Sequence, residues 1–136
     1  MENAGLILVT SSQSVPVTVN SFVAAAKHAG LTIFGQRDYS KGAQDANRPR
    51  PAVLVLFGNP NLIARLVAAK QQVGIDLPMK VLVWEDADGK TKISYNDPRW
   101  LISRHGLSEQ FGELSNKMAT VLENVMKSAG SKQTVQ

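Results

Sequence analysis

Three features of this 136-residue chain predict an α+β domain built on a mainly antiparallel sheet. Short apolar runs of strand length and segments of helical period follow in the order β-α-β-β-α-β-β-α-α, without the strict strand–helix alternation of a parallel sheet. A glycine-containing turn, DADG at 86–89, joins two of the strands as a hairpin. The length suits a single domain that buries about two thirds of its unfolded surface. Residues 1–130 are expected to form it, with 131–136 as a flexible tail.

Leu6 to Thr10 is a strand, apolar on both parities. Ser14 caps the first helix, whose Val15, Val19, Phe22, Val23 and Ala26 recur at helical spacing until Gly30 closes it. Leu31 to Asp38 forms a second strand that turns polar, and Tyr39 to Pro51 is a loop rich in Gly, Asn, Asp and Pro. Ala52 to Phe57 is a strand with no polar side. In the FGNPN stretch that follows, Asn59 supplies a cap and Pro60 takes the first helical position, where its missing N–H is no loss. Leu62, Ile63, Leu66, Val67 and Lys70 carry that helix towards Gly74. Met79 to Asp86 is again apolar on both sides, and Thr91 to Tyr95 returns. Asp97 caps a short helix with Pro98 in its first turn and Gly106 at its end. Ser108 opens the last helix, with the stripe Phe111, Leu114, Met118, Val121, Leu122, Val125 and Met126. Glu109 and Glu113 early and Lys127 late suit its dipole, and Ser128 onwards is expected to fray.

The hairpin has two candidate registers. A two-residue turn at Asp88-Gly89 would set Glu85 opposite Lys92. A type I turn over 86–89, with Gly89 in the left-handed position, sets Val83 against Ile93, Val81 against Tyr95 and Trp84 over Lys92. The second sorts apolar residues against apolar partners and is preferred. The two-sided strands then leave both sheet faces oily, which calls for helices on both sides or a partner subunit. A homodimer is expected, with Leu82 and Trp84 as candidate interface residues.

Composition narrows the chemistry. The absence of cysteine removes disulfides, thiolate metal sites and a thiol nucleophile. Two histidines, His28 and His105, leave little for an imidazole-rich metal site, so neither metal nor cofactor is expected. Fifteen Lys and Arg against eleven Asp and Glu give a scattered +4, whose one local cluster is Arg48-Pro49-Arg50 with Lys41 nearby. With few aromatics interleaved, nucleic acid is not the expected partner. No apolar stretch reaches the roughly 18 residues of a membrane helix, and the start lacks a basic leader, so a cytoplasmic protein is expected.

Taken in order, SSQSV, LTIF, VLFGNP, DLPMKVLVWEDADGK and YNDPRWLISRHGL resemble the bacterial and archaeal family known as domain of unknown function 302, over roughly residues 5–127. The resemblance implies a compact α+β domain of TATA-box-binding-protein-like fold, often dimeric, with no established activity. Two departures stand out. Members usually read Asp-His after the second strand, where this chain has Asp38-Tyr39. They tend to follow FGNP with a Gly-Thr-Pro-Leu-like segment, where this chain has Leu62 to Leu66.

His105 is the sharpest candidate functional residue. As the end of a short helix it needs no more than a favourable dipole and a last carbonyl to bond. The alternative groups His105 with Glu85, Asp38 and Tyr95 in a ligand pocket at the sheet edge, where a carboxylate would orient the imidazole for acid–base work or share a weak metal site. FGNP has one glycine and fits a strand-to-helix turn better than a phosphate cradle. Trp84 and Trp100 are expected as buried anchors. The resulting expectation is a small homodimeric module that binds an unidentified small molecule or serves assembly. An enzyme using His105 is the alternative, and a nucleic-acid binder the third.

Overall fold

The computed structural model describes residues 4–42 and 49–131. Its elements are β1 (Leu6–Ser11), α1 (Val15–His28), β2 (Thr32–Asp38), β3 (Ala52–Gly58), α2 (Pro60–Ala69), β4 (Met79–Glu85), β5 (Thr91–Asn96), α3 (Pro98–Arg104) and α4 (Ser108–Gly130). The strands form one fully antiparallel sheet in the order β1-β5-β4-β3-β2. This is the expected α+β class and element order. The basic Arg48 falls outside the described residues.

Local chemistry sets the helix ends. The Ser14 side chain accepts from the Val17 N–H at the start of α1, and Gly30 stops it at a φ of 84°. Asn59 Oδ1 accepts from the Asn61 and Leu62 N–H groups, and Asp97 Oδ1 from that of Arg99. The hairpin takes the preferred register: Val83 faces Ile93, Val81 faces Tyr95 and Trp84 faces Lys92, with Gly89 at a φ of 79°.

Two helix boundaries differ from the sequence reading. α2 ends at Ala69, because Lys70 turns extended at φ −152° and a tight 3-10 turn follows over Gln71–Asp76. That turn drives Val73 to complete burial and presents Asp76 towards α3, neither of which helix periodicity alone encodes. α4 runs to Gly130, and Ser128 to Gly130 are its last turn. Tertiary contacts hold this turn: Ala129 is fully buried, and the Gly130 carbonyl accepts from Ser12 N at 2.9 Å.

Alternation along the strands separates two faces. One packs under α1 and α4, and its core joins Val55, Val81, Val83 and Ile93 to Phe22 and Leu122. Phe22 and Phe57 meet edge to face with centroids 5.2 Å apart. Even the polar pair inside is satisfied: the Ser11 and Thr18 hydroxyls share a 2.7 Å hydrogen bond. A second cluster, including Leu66, Val73, Leu101, Leu107 and Phe111, fills the end where β3 and β5 finish and β4 begins.

The opposite face presents Leu6, Leu8, Leu54, Leu56, Leu82 and Trp84, and none of the described helices crosses it. Leu8 is 57% exposed, Leu6 48% and Phe34 45%. Among the described residues, then, helices cover one face of the sheet and not the other.

Candidate functional site

His105 follows the last residue of α3, where Gly106, at a φ of 70°, ends the turn. Its ring is nearly buried, and Nε2 lies 2.5 Å from Asp76 Oδ2. The same carboxylate accepts from Arg104 Nη1 through both oxygens, at 3.0 and 2.9 Å. Lys70 Nζ donates to the His105 carbonyl at 2.8 Å, so a lysine side chain takes the carbonyl that the helix end leaves open. Arg104 also stacks over Trp100, 5.7 Å from the ring centroid. The dipole-and-carbonyl expectation thus requires correction: the imidazole bonds a carboxylate and its own carbonyl goes to lysine.

The proposed grouping of His105 with Glu85, Asp38 and Tyr95 does not form. Asp76 lies just before β4 and Glu85 ends it, so the strand's length of about 20 Å separates Glu85 from the His105 pair. Asp38 sits at that far end too, on edge strand β2. Its carboxylate accepts from the Ser40 hydroxyl at 2.6 Å and the Ser40 N–H at 3.0 Å, a turn-capping role. Those bonds, the hydroxyl's foremost, hold the Asp38 carboxyl below its usual range. Tyr95 is 3% exposed beneath the helices, and burial first, then the charges of Glu123 and Asp97, push its phenol upward. A phenol held protonated in the core is poorly placed for acid–base chemistry.

A carboxylate that orients an imidazole is one half of a general-base pair. Here Arg104 engages both oxygens of that carboxylate, and the trio ties the 3-10 turn to the end of α3. Among the described residues no three His, Asp or Glu side chains gather as metal ligands. The FGNP stretch offers no free cradle either, since Asn59 already occupies the N–H groups of Asn61 and Leu62. Trp84 and Trp100 are half-buried, with Trp84 Nε1 donating to Ser94 Oγ at 2.9 Å on the open face.

A family model described as Domain of unknown function DUF302 matches residues 7–125. The chain belongs to this family. Three Brucella proteins named fluoride-specific ion channel FluC resemble it, among them FluC 1 of Brucella suis and FluC 2 of Brucella melitensis. Each is 37% identical over 128 residues, or 93% of this chain. The chain spans about half the length of these curated relatives, 50% and 47% respectively. The crystal structure of an uncharacterized conserved DUF302 protein from Bacillus stearothermophilus superposes with a TM-score of 0.77 at 22% identity, covering 92% of this chain and 98% of that one, which shows the shared fold.

Sequence reasoning missed Asp76, Arg104 and Lys70 as partners of His105. Asp76 lies 29 residues away, outside any local spacing rule. The one available signal was its place at the head of the DLPMKVLVWEDADGK motif.

Proposed function

We propose that this DUF302 domain is a homodimeric assembly module whose two copies pack their open sheet faces together. One observation carries the reading: the sheet face that presents Leu6, Leu8, Leu54, Leu56, Leu82 and Trp84, with Lys92, Ser94 and Asn96 of β5 between them, has no covering helix among the described residues. Five strands at about 4.8 Å spacing, each rising about 3.3 Å per residue, give a face of roughly 24 by 20 Å. Two such faces cover roughly 1,000 Å² before side-chain relief is counted, which reaches the lower bound of about 1,000 Å² for a biological interface. Leu82 and Trp84 lie on the central strand, so a two-fold contact buries them on both copies. Arg37, Lys80 and Lys92 share this face and would supply a charged fringe that sets register.

Substitutions on this face test the reading. Full burial of a leucine is worth about 1.5–3 kcal/mol. Leu8 keeps 57% of its exposure in one copy, so about half of that gain remains, and symmetry counts it twice. Leu8→Ala should weaken the dimer by about 1.5–3 kcal/mol, a rise of roughly 10- to 150-fold in Kd. Leu82→Arg should give a folded monomer. Wild-type association in both variants would refute the contact.

The relatives favour a second reading of where such a module works. We infer that the ion-conducting part of the FluC proteins lies in the half this chain does not match, since none of the described helices here is long and apolar enough to cross a membrane. The matched half would then bring channel halves together. Removing it from the Brucella suis protein should leave fluoride conduction while changing the copy number. Loss of conduction in a truncated protein that still inserts and assembles would contradict this.

A further inference from the structure

Among the described residues, the apolar stripe of α4 is unevenly buried. Phe111, Leu122, Val125 and Met126 are buried, whereas Leu114, Met118 and Val121, from the same expected stripe, are only partly buried. These three turn towards α2, a ten-residue helix with a single buried side chain, Leu66. Between the two helices and the end of the sheet lies an apolar cavity of ≈ 40 Å³, whose walls include Phe57, Leu66, Met79, Ile102 and Phe111. The two polar side chains in its wall are already engaged. Ser115 donates to the Gly112 carbonyl at 2.8 Å, and Asn59 caps α2. The interior therefore asks for hydrocarbon and not for a polar group.

Outside it runs a surface groove of ≈ 220 Å³, which shares Asn59, Leu62, Leu114 and Met118 with the cavity as a common wall. Two cations stand on its rim, Arg65 from α2 and Lys117 from α4. Both are exposed, and neither forms an ion pair with a described residue. Arg65 lies over the Phe111 ring, 5.6 Å from its centroid, which holds it above the cavity. The anion nearest in sequence, Glu113, is one turn before Lys117 on α4 and makes no ion pair with it.

We propose that this cavity and groove form a binding site for a free medium-chain carboxylate, its hydrocarbon tail entering between α2 and α4 and its head group held by Arg65 and Lys117. Charge complementarity selects the head and the apolar walls select the tail. Size selects the chain length: the two spaces together fall below the roughly 300 Å³ at which drug-sized pockets begin. The tail parts Leu62 and Met118, and the loosely buried α2 yields to admit it. This site lies away from the open sheet face, so it stands or falls independently of dimerisation.

Calorimetric titration with octanoate, octyltrimethylammonium and acetate tests the proposal on the full chain. Octanoate should bind saturably at one site per chain, and the other two should not. Arg65→Gln and Lys117→Gln, both surface changes, should each weaken octanoate about two- to fivefold, in keeping with one partly exposed charge pair. Met118→Trp should abolish binding by filling the shared wall, with circular dichroism confirming that the variant is folded. Equal binding of the cationic and anionic amphiphiles, unchanged affinity in both glutamine variants, or no octanoate binding would each overturn it. Association with phospholipid vesicles but not with free octanoate would do the same.

Discussion

Replacing Asp76 with alanine removes one carboxylate from three hydrogen bonds at once. The group is 16% exposed, accepts from Arg104 Nη1 at 3.0 and 2.9 Å, and meets the His105 ring at 2.5 Å. Arg104 is 51% exposed, so water replaces most of its share, and a surface pair of this kind contributes about 0–1 kcal/mol. His105 is 7% exposed and has no such recourse. A buried donor left without a partner costs about 1–3 kcal/mol. The sum for Asp76→Ala is about 1–4 kcal/mol, whereas Arg104→Ala should lose about 1 kcal/mol, including its stacking on Trp100. At about 3–5 °C per kcal/mol for a domain of this size, thermal unfolding followed by circular dichroism should show Asp76→Ala melting roughly 3–20 °C lower, and Arg104→Ala within about 5 °C of the parent. Protein concentration must be matched, because the proposed dimerisation would make Tm concentration-dependent. The double variant Asp76→Ala/His105→Ala should fall short of additivity by at least about 0.5 kcal/mol. An Asp76→Ala protein within about 0.5 kcal/mol of the parent, or strict additivity with His105→Ala, would refute the reading of this trio as a structural latch.

Two further outcomes follow from positions elsewhere. Gly5 has a φ of 73°, and a Cβ there would lie inside the Trp100 ring, so Gly5→Ala should cost about 2–5 kcal/mol in urea denaturation; a neutral result would mean that the β1 entrance is not packed on α3 as described. At Asp97, the hydrogen bond from the Arg99 side chain holds the carboxyl below its ordinary 3.8, with the Arg99 N–H and charge adding to it. A lowered carboxyl contributes stability that is complete above the unfolded value and lost as pH falls through the folded one. Asp97→Asn keeps a good cap but removes the charge. Its deficit relative to the parent should therefore be constant above about pH 5 and vanish as pH falls below 4 and through the lowered value; a deficit that grows on acidification would contradict the assignment.

Much of the architecture was readable because its signals are local. Ser14, Asn59 and Asp97 announce helix starts through their own side chains, and the 86–89 turn fixes the hairpin register through one left-handed glycine. The apolar side chains that β1, β3 and β4 turn to the second sheet face were legible too, since strand parity places them, as it places the polar Lys92 and Ser94 of β5 among them. What local pattern does not carry is which long-range partner a side chain meets. His105 pairs with Asp76 because a 3-10 turn, set by the burial of Val73, brings that carboxylate to the end of α3. The division of the α4 stripe is of the same kind. Leu114 and Met118 follow the helical period as well as Leu122 does, yet they face the loosely buried α2, and only the placement of α2 reveals a groove there.

Sedimentation equilibrium of the purified chain across micromolar concentrations bears most directly on the open sheet face. If a second copy covers Leu8, Leu54 and Leu82, the mass approaches twice the 14.7 kDa chain and falls towards the single value only on dilution or in Leu82→Arg. A mass fixed at 14.7 kDa up to about 100 μM would show that this apolar face meets water unaided, and the assembly account would be wrong.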